Sequence, residues 1–155
     1  MNETVLRVAR PGEAEALTAL TRRSKGHWGY PPEVLDRLAS AGLLTVAPAV
    51  IRDGRVVVAE RGGVPVGWYQ LTGTPPHGEL ADLFLDPEVI GTGLGRTLWE
   101  HAVASARGAG FRTLTLESDP YAEGFYLRMG AERVGEREVA PGRVLPVLRV
   151  AVLEV

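Results

Sequence analysis

The sequence predicts a mixed α/β (α+β) fold, with one largely antiparallel central sheet flanked by helices. Three observations predict it. Apolar residues recur with period two in some stretches and with period 3.6 in others. Three strand-like runs follow one another across residues 56–85 with no room for a crossover helix between them. One long helical pattern then separates them from a strand, a short helix and two final strands, so the order is not a strict βαβ alternation.

The elements justify this in turn. Residues 5–10 alternate as a strand until Pro11-Gly12, and residues 13–23 place Ala14, Leu17 and Leu20 at helical spacing. Pro31-Pro32 opens a second helix with Val34, Leu35 and Leu38 as its apolar stripe, and Gly42 stops it. Residues 56–60 and 64–71 are β-branched and aromatic around Arg61-Gly62-Gly63, the signature of an antiparallel hairpin, and residues 80–85 form the next strand. Residues 93–109 carry Leu94, Leu98, Val103 and Ala106 on one helical side, with Gly110 as the stop. A strand over 113–118, a short helix over 121–129 closed by Gly130, and strands over 131–139 and 144–152 around Pro141-Gly142 complete the chain.

A length of 155 residues suits one domain spanning 1–155. With 45% apolar and 23% charged residues, neither disorder nor a fibrous architecture is expected. A net charge of -2 gives no electrostatic reason to bind nucleic acid. The absence of cysteine removes disulfides, thiolate metal sites and a nucleophilic thiol. No run reaches the ~18 apolar residues of a membrane span and no leader pattern opens the chain, so no membrane partner and a cytoplasmic location are expected. His27, His77 and His101 lack metal-ligand spacing, and no metal is expected.

The most informative stretch is Ile90-Gly91-Thr92-Gly93-Leu94-Gly95-Arg96, which leads from a strand into the long helix. Glycines at alternate positions allow positive φ and close approach of a bulky anion. The helix start supplies unpaired N–H groups and a partial positive charge, so a diphosphate could be held there, with Arg96 adding a charge-assisted contact. A dinucleotide turn wants G-x-G-x-x-G in a parallel unit. A nucleoside triphosphate loop wants Lys before Ser or Thr, where this chain has Arg96-Thr97.

The stretch resembles the phosphate-binding turn of the GCN5-related N-acetyltransferase (GNAT) superfamily. That family's pattern is Gln/Arg-x-x-Gly-x-Gly/Ala; its first position falls here on Ile90, and the chain matches the Ile-Gly-x-Gly-x-Gly form of many relatives. The similarity continues through Glu117-Ser118-Asp119-Pro120 and from Ala122 through Phe125-Tyr126 to Gly130-Ala131. It implies acetyl-coenzyme A as cosubstrate, with the pantetheine arm along the backbone of Leu83, Phe84 and Leu85. The nucleotide end would lie on Ile90, Gly91, Thr92, Gly93, Leu94, Gly95 and Arg96, with Ser118, Asp119, Ala122 and Phe125 also lining the cofactor. Tyr121 stands where relatives often carry Asn, which removes one polar cofactor contact.

Acetyl transfer from a thioester to an amine needs a neutral amine, a stabilised oxyanion and a proton for the departing thiolate. Tyr126 matches the acid, since an ordinary phenol titrates near ~10. Glu79 is the preferred base, with Asp82 or a water relay as alternatives; strand alternation puts the two carboxylates on opposite faces unless a bulge intervenes. The segment 24–30 joins the first two helices, and Trp28 and Tyr30 within it either enclose an acceptor or pack on the core. Trp68, Tyr69 and Trp99 read as core. The function expected is N-acetylation of a primary amine, on a small molecule or peptide, by direct attack in a ternary complex. The competing expectations are a catalytically silent acyl-coenzyme A sensing domain and a structural or toxin-neutralising interaction module. The apolar run 144–155 suggests a free edge or face for a homodimer.

Overall fold

The computed structural model describes residues 3–152. Seven strands form one mostly antiparallel sheet flanked by helices, in the order β1-β2-β3-β4-β5-β7-β6. In chain order the elements are β1 Thr4–Val8, α1 Ala14–His27, α2 Pro32–Ser40, α3 Pro48–Asp53, β2 Arg55–Arg61, β3 Val64–Thr74 and β4 His77–Leu85. A 3-10 turn, Pro87–Val89, precedes α4 Leu94–Gly108, β5 Thr113–Glu117, α5 Glu123–Arg128, β6 Glu132–Ala140 and β7 Arg143–Ala151. No helix among the described residues is long and apolar enough to cross a membrane.

The glycines expected to stop helices do so by one mechanism. Gly42, Gly110 and Gly130 take φ of +75°, +93° and +102°. The following N–H groups, of Leu43, Phe111 and Ala131, then return to the carbonyls of Leu38, Ala106 and Tyr126 at 3.0, 3.0 and 3.1 Å. Each thereby satisfies a helix-terminal carbonyl in the Schellman arrangement.

Four expectations need correction. Helix α3 was not expected, because six residues, Pro48–Asp53, are too few to show a helical period; Pro48 in its first turn is the only local sign. Helix α1 runs on to His27, so Ser24, Lys25, Gly26 and His27 are its last turn and the connection shrinks to residues 28–31. Strand β4 starts at His77, which puts Glu79 inside the strand and not at its entrance. Strand β7 is paired on both sides, to β5 and to β6, so it offers no free edge; the free edges belong to β1 and β6. Residues 153–155 of the run read as a dimer edge lie outside the described residues.

Contacts group the chain into two units, residues 1–70 with 82–98 and residues 71–81 with 99–155. In the first, β1 pairs antiparallel with β2, Arg7 opposite Val58. Leu17 and Leu20 of α1, Val56 and Val58 of β2 and Trp68 of β3 form its core, with Phe84 packed against it. Burying each such side chain is worth about 1.5–3 kcal/mol. The Trp68 indole N–H donates to Thr21 Oγ1 at 3.1 Å, and the Thr21 hydroxyl donates to the Leu17 carbonyl at 2.8 Å. Charge holds the outer corner. Arg7 donates two hydrogen bonds to Glu13, at 2.7 and 2.8 Å, and one to Glu60. In the second unit β4 pairs parallel with β5 only through His77, Gly78 and Glu79, set against Thr113, Leu114 and Thr115. Gly78 leaves the room that the Phe111 ring occupies, since a Cβ there would stand 2.5 Å from Phe111 Cε1. Trp99, as expected, is buried, and so are Trp68 and Tyr69.

Candidate functional site

In the first unit, β4 ends at Leu85 and the chain turns at Asp86. The Asp86 N–H donates to Val66 O at 2.8 Å, and its carboxylate accepts from the Glu88 N–H at 3.2 Å and from Arg23 of α1 at 2.8 Å. That anchors the turn to β3 and α1 before the glycines begin. Val89 is buried, whereas Gly91, Thr92 and Gly93 are exposed. Gly91 and Gly93 have φ of +83° and +92°, and a Cβ on either would meet nothing within 4 Å. The glycines are thus required by backbone conformation, and the space over them is open to a ligand.

Helix α4 follows directly. The Gly93 carbonyl accepts from the Thr97 N–H at 3.1 Å, the first helical bond. The amides of Leu94, Gly95 and Arg96 therefore precede the first donor with a carbonyl four residues back, and the positive end of the helix dipole lies there. The Thr92 hydroxyl donates to the Val89 carbonyl at 2.5 Å, so its proton serves the turn and only its amide and oxygen lone pairs remain for other roles. Leu83, Phe84 and Leu85 are each partly exposed in succession, where a regular one-sided strand would alternate. Trp28 and Tyr30 are half-buried in the same unit; Trp28 meets His27 edge to face at 4.9 Å and Tyr30 lies 5.6 Å from Lys25 Nζ.

In the second unit, β5 ends at Glu117 and Ser118 is buried, its hydroxyl donating to the Asp119 carbonyl at 2.7 Å and its N–H to Pro146 O at 2.9 Å. Asp119 accepts from the Tyr121 N–H at 2.9 Å through its carboxylate and from the Ala122 N–H at 2.9 Å through its carbonyl. This local turn launches α5 and fixes where Phe125 and Tyr126 fall. Tyr126 is 7% exposed, its ring 5.7 Å from that of Trp99 and 5.1 Å from that of Phe125. Aromatic packing on two sides fixes the ring plane and hence the direction of the phenol.

Glu79 lies at the last paired position of the β4–β5 ladder, opposite Thr115. Partial desolvation pushes its carboxyl above the ordinary range, the negative charge of Glu117 adds to the rise, and Arg137 opposes it. Arg137 itself donates to Glu117 at 2.7 Å. From the sequence, Glu117 stands out only as the first residue of the Glu117–Pro120 motif, and Arg137 not at all. Alternation in β5 puts Glu117 on the face of Thr115, but only the β4–β5 register brings that face beside Glu79. Asp82 falls in the other unit, at a small cavity with Thr21 and Gln70. Among the described residues no group of three or more metal-ligating side chains occurs.

Residues 15–131 match the model of the acetyltransferase (GNAT) family. The chain is 33% identical over 145 residues to the peptidyl-lysine N-acetyltransferase YjaB of Salmonella typhimurium, covering 92% of this chain and 94% of that one. It superposes on the solution structure of apo-form YjaB from Escherichia coli with a TM-score of 0.69 and 30% identity, covering 99% of both chains. The crystal structure of PaiA N-acetyltransferase from Thermoplasma acidophilum in complex with coenzyme A gives a TM-score of 0.80 at 16% identity, over 96% of this chain and 99% of that one.

Proposed function

Because the chain belongs to the acetyltransferase (GNAT) family, we propose that it transfers an acetyl group from acetyl-coenzyme A to a primary amine by direct attack in a ternary complex. The observation that carries this reading is the turn of residues 91–96: two left-handed glycines under open space, followed by a helix start whose first amides have no intrahelical acceptor. That arrangement fits a diphosphate, and a coenzyme A pyrophosphate is the occupant that the family favours. The names of the relatives, peptidyl-lysine N-acetyltransferases, favour a lysine side chain as acceptor.

Each residue has a role in this reading. Amides at Leu94, Gly95 and Arg96 hold the phosphates, with the Arg96 guanidinium beside them. Backbone groups of Leu83, Phe84 and Leu85 pair with the pantetheine amides as an added strand, and a backbone N–H there polarises the thioester carbonyl. Ser118, Asp119, Ala122 and Phe125 border the thiol end, and Trp28 and Tyr30 face the acceptor. Glu79 takes the ammonium proton directly or through water. Tyr126 donates its phenolic proton to the sulfur as the thioester bond breaks, and regains it from solvent afterwards. The absence of cysteine agrees with attack by the amine without an acyl-enzyme.

The test is release of free thiol from acetyl-coenzyme A with a lysine-containing peptide, with acetyl-lysine identified by mass spectrometry. Thiol release that depends on the peptide supports the reading. Tight coenzyme A binding with no turnover across a panel of amines would leave a silent sensing domain in its place.

A further inference from the structure

The side-chain charges of the cofactor turn are at odds with its proposed occupant. Within residues 86–96 they are Asp86, Glu88 and Arg96, two negative and one positive, on a segment proposed to seat a diphosphate. The turn nonetheless needs an acceptor at residue 86. Asp86 Oδ1 caps the 3-10 turn by accepting the Glu88 N–H at 3.2 Å, and the Asp86 carbonyl accepts from the Val89 N–H at 3.0 Å. The Val89 carbonyl accepts in turn from the Thr92 N–H at 3.3 Å. Two short turns thus separate the carboxylate from Gly91 and Gly93, a distance on the order of 10 Å. The balancing positive charge comes from another element. Arg23, on α1, donates through Nε at 2.9 Å and holds Nη2 at 2.8 Å from Oδ2, the carboxylate oxygen that the cap does not use. The Asp86 side chain is 14% exposed and that of Arg23 49%, so the carboxylate is largely enclosed while the guanidinium reaches water. With Arg23 included, the side chains of the turn sum to neutral.

We propose that Arg23 is a positioning residue for the cofactor that acts through Asp86: it cancels the charge of the carboxylate, so the turn keeps its cap without repelling the phosphates. The proposal rests on the reading of residues 91–96 as the diphosphate seat, and it adds a residue from a different helix, outside the glycine motif. As a tie between elements, a half-exposed ion pair contributes little stability. Its field reaches further. In water at low salt, one unit charge about 10 Å from a doubly charged group changes affinity by roughly three- to fivefold, whereas ~1 M salt screens charges within ~3 Å. Charge compensation and mechanical anchoring give opposite signs for one variant. Asp86→Asn keeps an oxygen for the Glu88 N–H and removes the negative charge, so it strengthens phosphate binding if the charge matters and weakens it if the ion pair only holds the turn.

The experiment is calorimetry of coenzyme A at about 0.01 M and about 1 M salt, with circular dichroism to confirm folding. It compares the native chain with Arg23→Met, Arg23→Lys, Asp86→Asn and the double variant Arg23→Met with Asp86→Asn. At low salt Arg23→Met should weaken binding about threefold or more, and Asp86→Asn should strengthen it by a similar factor. Arg23→Lys keeps the charge and loses the paired grip on Oδ2; it and the double variant should both bind within about twofold of the native chain. At high salt every difference should shrink below about twofold. Losses in Asp86→Asn, Arg23→Lys and the double variant that match Arg23→Met and persist at high salt would make the pair a structural tie. Native affinity in all four would make it a surface ion pair, and either result overturns the proposal. If Arg23→Met does not fold, Asp86→Asn and Arg23→Lys decide by the same signs. Gly93→Asp, measured alongside, keeps the two readings apart. Its loss of affinity with no response from the Arg23 and Asp86 variants overturns this proposal alone, whereas undiminished binding removes the phosphate seat and the proposal with it.

Discussion

The turn after β4 and the helix α5 offer two ways of building chemistry. The first is exposed, left-handed at two glycines, and presents backbone amides at a helix start. The second is a buried phenol clasped by Trp99 and Phe125. A backbone site needs residues that lack side chains, so it shows in the sequence as spacing. A side-chain site needs one residue in a packed setting, and the same letters would serve a core equally well. The glycine turn could thus be argued from physics, whereas Tyr126 drew its role from resemblance.

The largest effect should come from putting a side chain into the backbone site. Gly93→Asp adds a negative charge where phosphates are proposed to lie, and coenzyme A affinity by calorimetry should fall at least about a hundredfold. The new Cβ meets no atom within 4 Å, so the variant suffers no clash, but φ of +92° costs an L-residue about 1–2 kcal/mol. Gly142→Asp, at φ +76° in the β6–β7 turn, carries the same strain and is the control. If both variants lose stability and both keep affinity, the turn does not bind the cofactor.

The matching change in the side-chain site is Tyr126→Phe, which deletes one oxygen and keeps the ring packed against Trp99. Coenzyme A affinity should hardly move, while kcat should fall about a hundredfold, the usual lower scale of general acid catalysis. The deficit should shrink with an acyl donor whose thiol is more acidic, since a better leaving group needs less protonation. A Phe variant with native kcat, where chemistry limits the rate, would make Tyr126 a packing residue only.

A third change separates stability from site in the first unit. Arg7→Met removes the cation that ties β1 to Glu13 and Glu60, whose side chains are only 16% and 17% exposed. Leaving them without it should cost about 1–3 kcal/mol in denaturant unfolding, and coenzyme A affinity of the folded protein should be unchanged. The Arg7 hydrogen bond holds the Glu13 carboxyl below its ordinary range, against the opposing effect of burial. The stability linked to it is therefore complete above the unfolded carboxylate value and is lost as the pH falls through the lower folded one. Native stability should drop more steeply than that of Arg7→Met in this acid window, and parallel curves would show that Arg7 does not act through Glu13.

These residues also show what the sequence could carry. Strands, the long helix and the three glycine stops were legible because each follows from local period or from one residue's φ. Helix α3 was not, since six residues make fewer than two turns and only Pro48 marks its start. Nor was the free edge. The run of residues 144–152 looks like an exposed strand by hydropathy, but pairing on both sides by β5 and β6 is a matter of sheet order. Instead β6 stands at the edge, and its Glu132, Arg133, Glu136, Arg137 and Glu138 discourage edge pairing. The cavity at Asp82 draws on α1, residues 43–46, α3, β3 and β4, segments far apart in sequence, so no motif could announce it.

The smallest effect concerns Glu79, where backbone and side chain contribute together, because the register of β4 on β5 puts the carboxylate beside the Glu117–Arg137 pair. If Glu79 accepts the amine proton, the rising limb of kcat/KM against pH should track its ionisation, above the range of an ordinary carboxylate, because desolvation and Glu117 both raise it. Glu79→Gln should abolish that limb and lower kcat/KM about tenfold, less than the usual ~10²-fold because water can take over at an exposed position. The neighbours supply the sign. Glu117→Gln removes a like charge and should move the limb to lower pH. Arg137→Met removes the opposing positive charge and should move it to higher pH. Tyr126 lies on another element, so Tyr126→Phe should lower the whole curve without displacing this limb. A limb that persists in Glu79→Gln, or that ignores both neighbours, assigns the proton to a different acceptor and leaves Glu79 as a strand residue beside an ion pair.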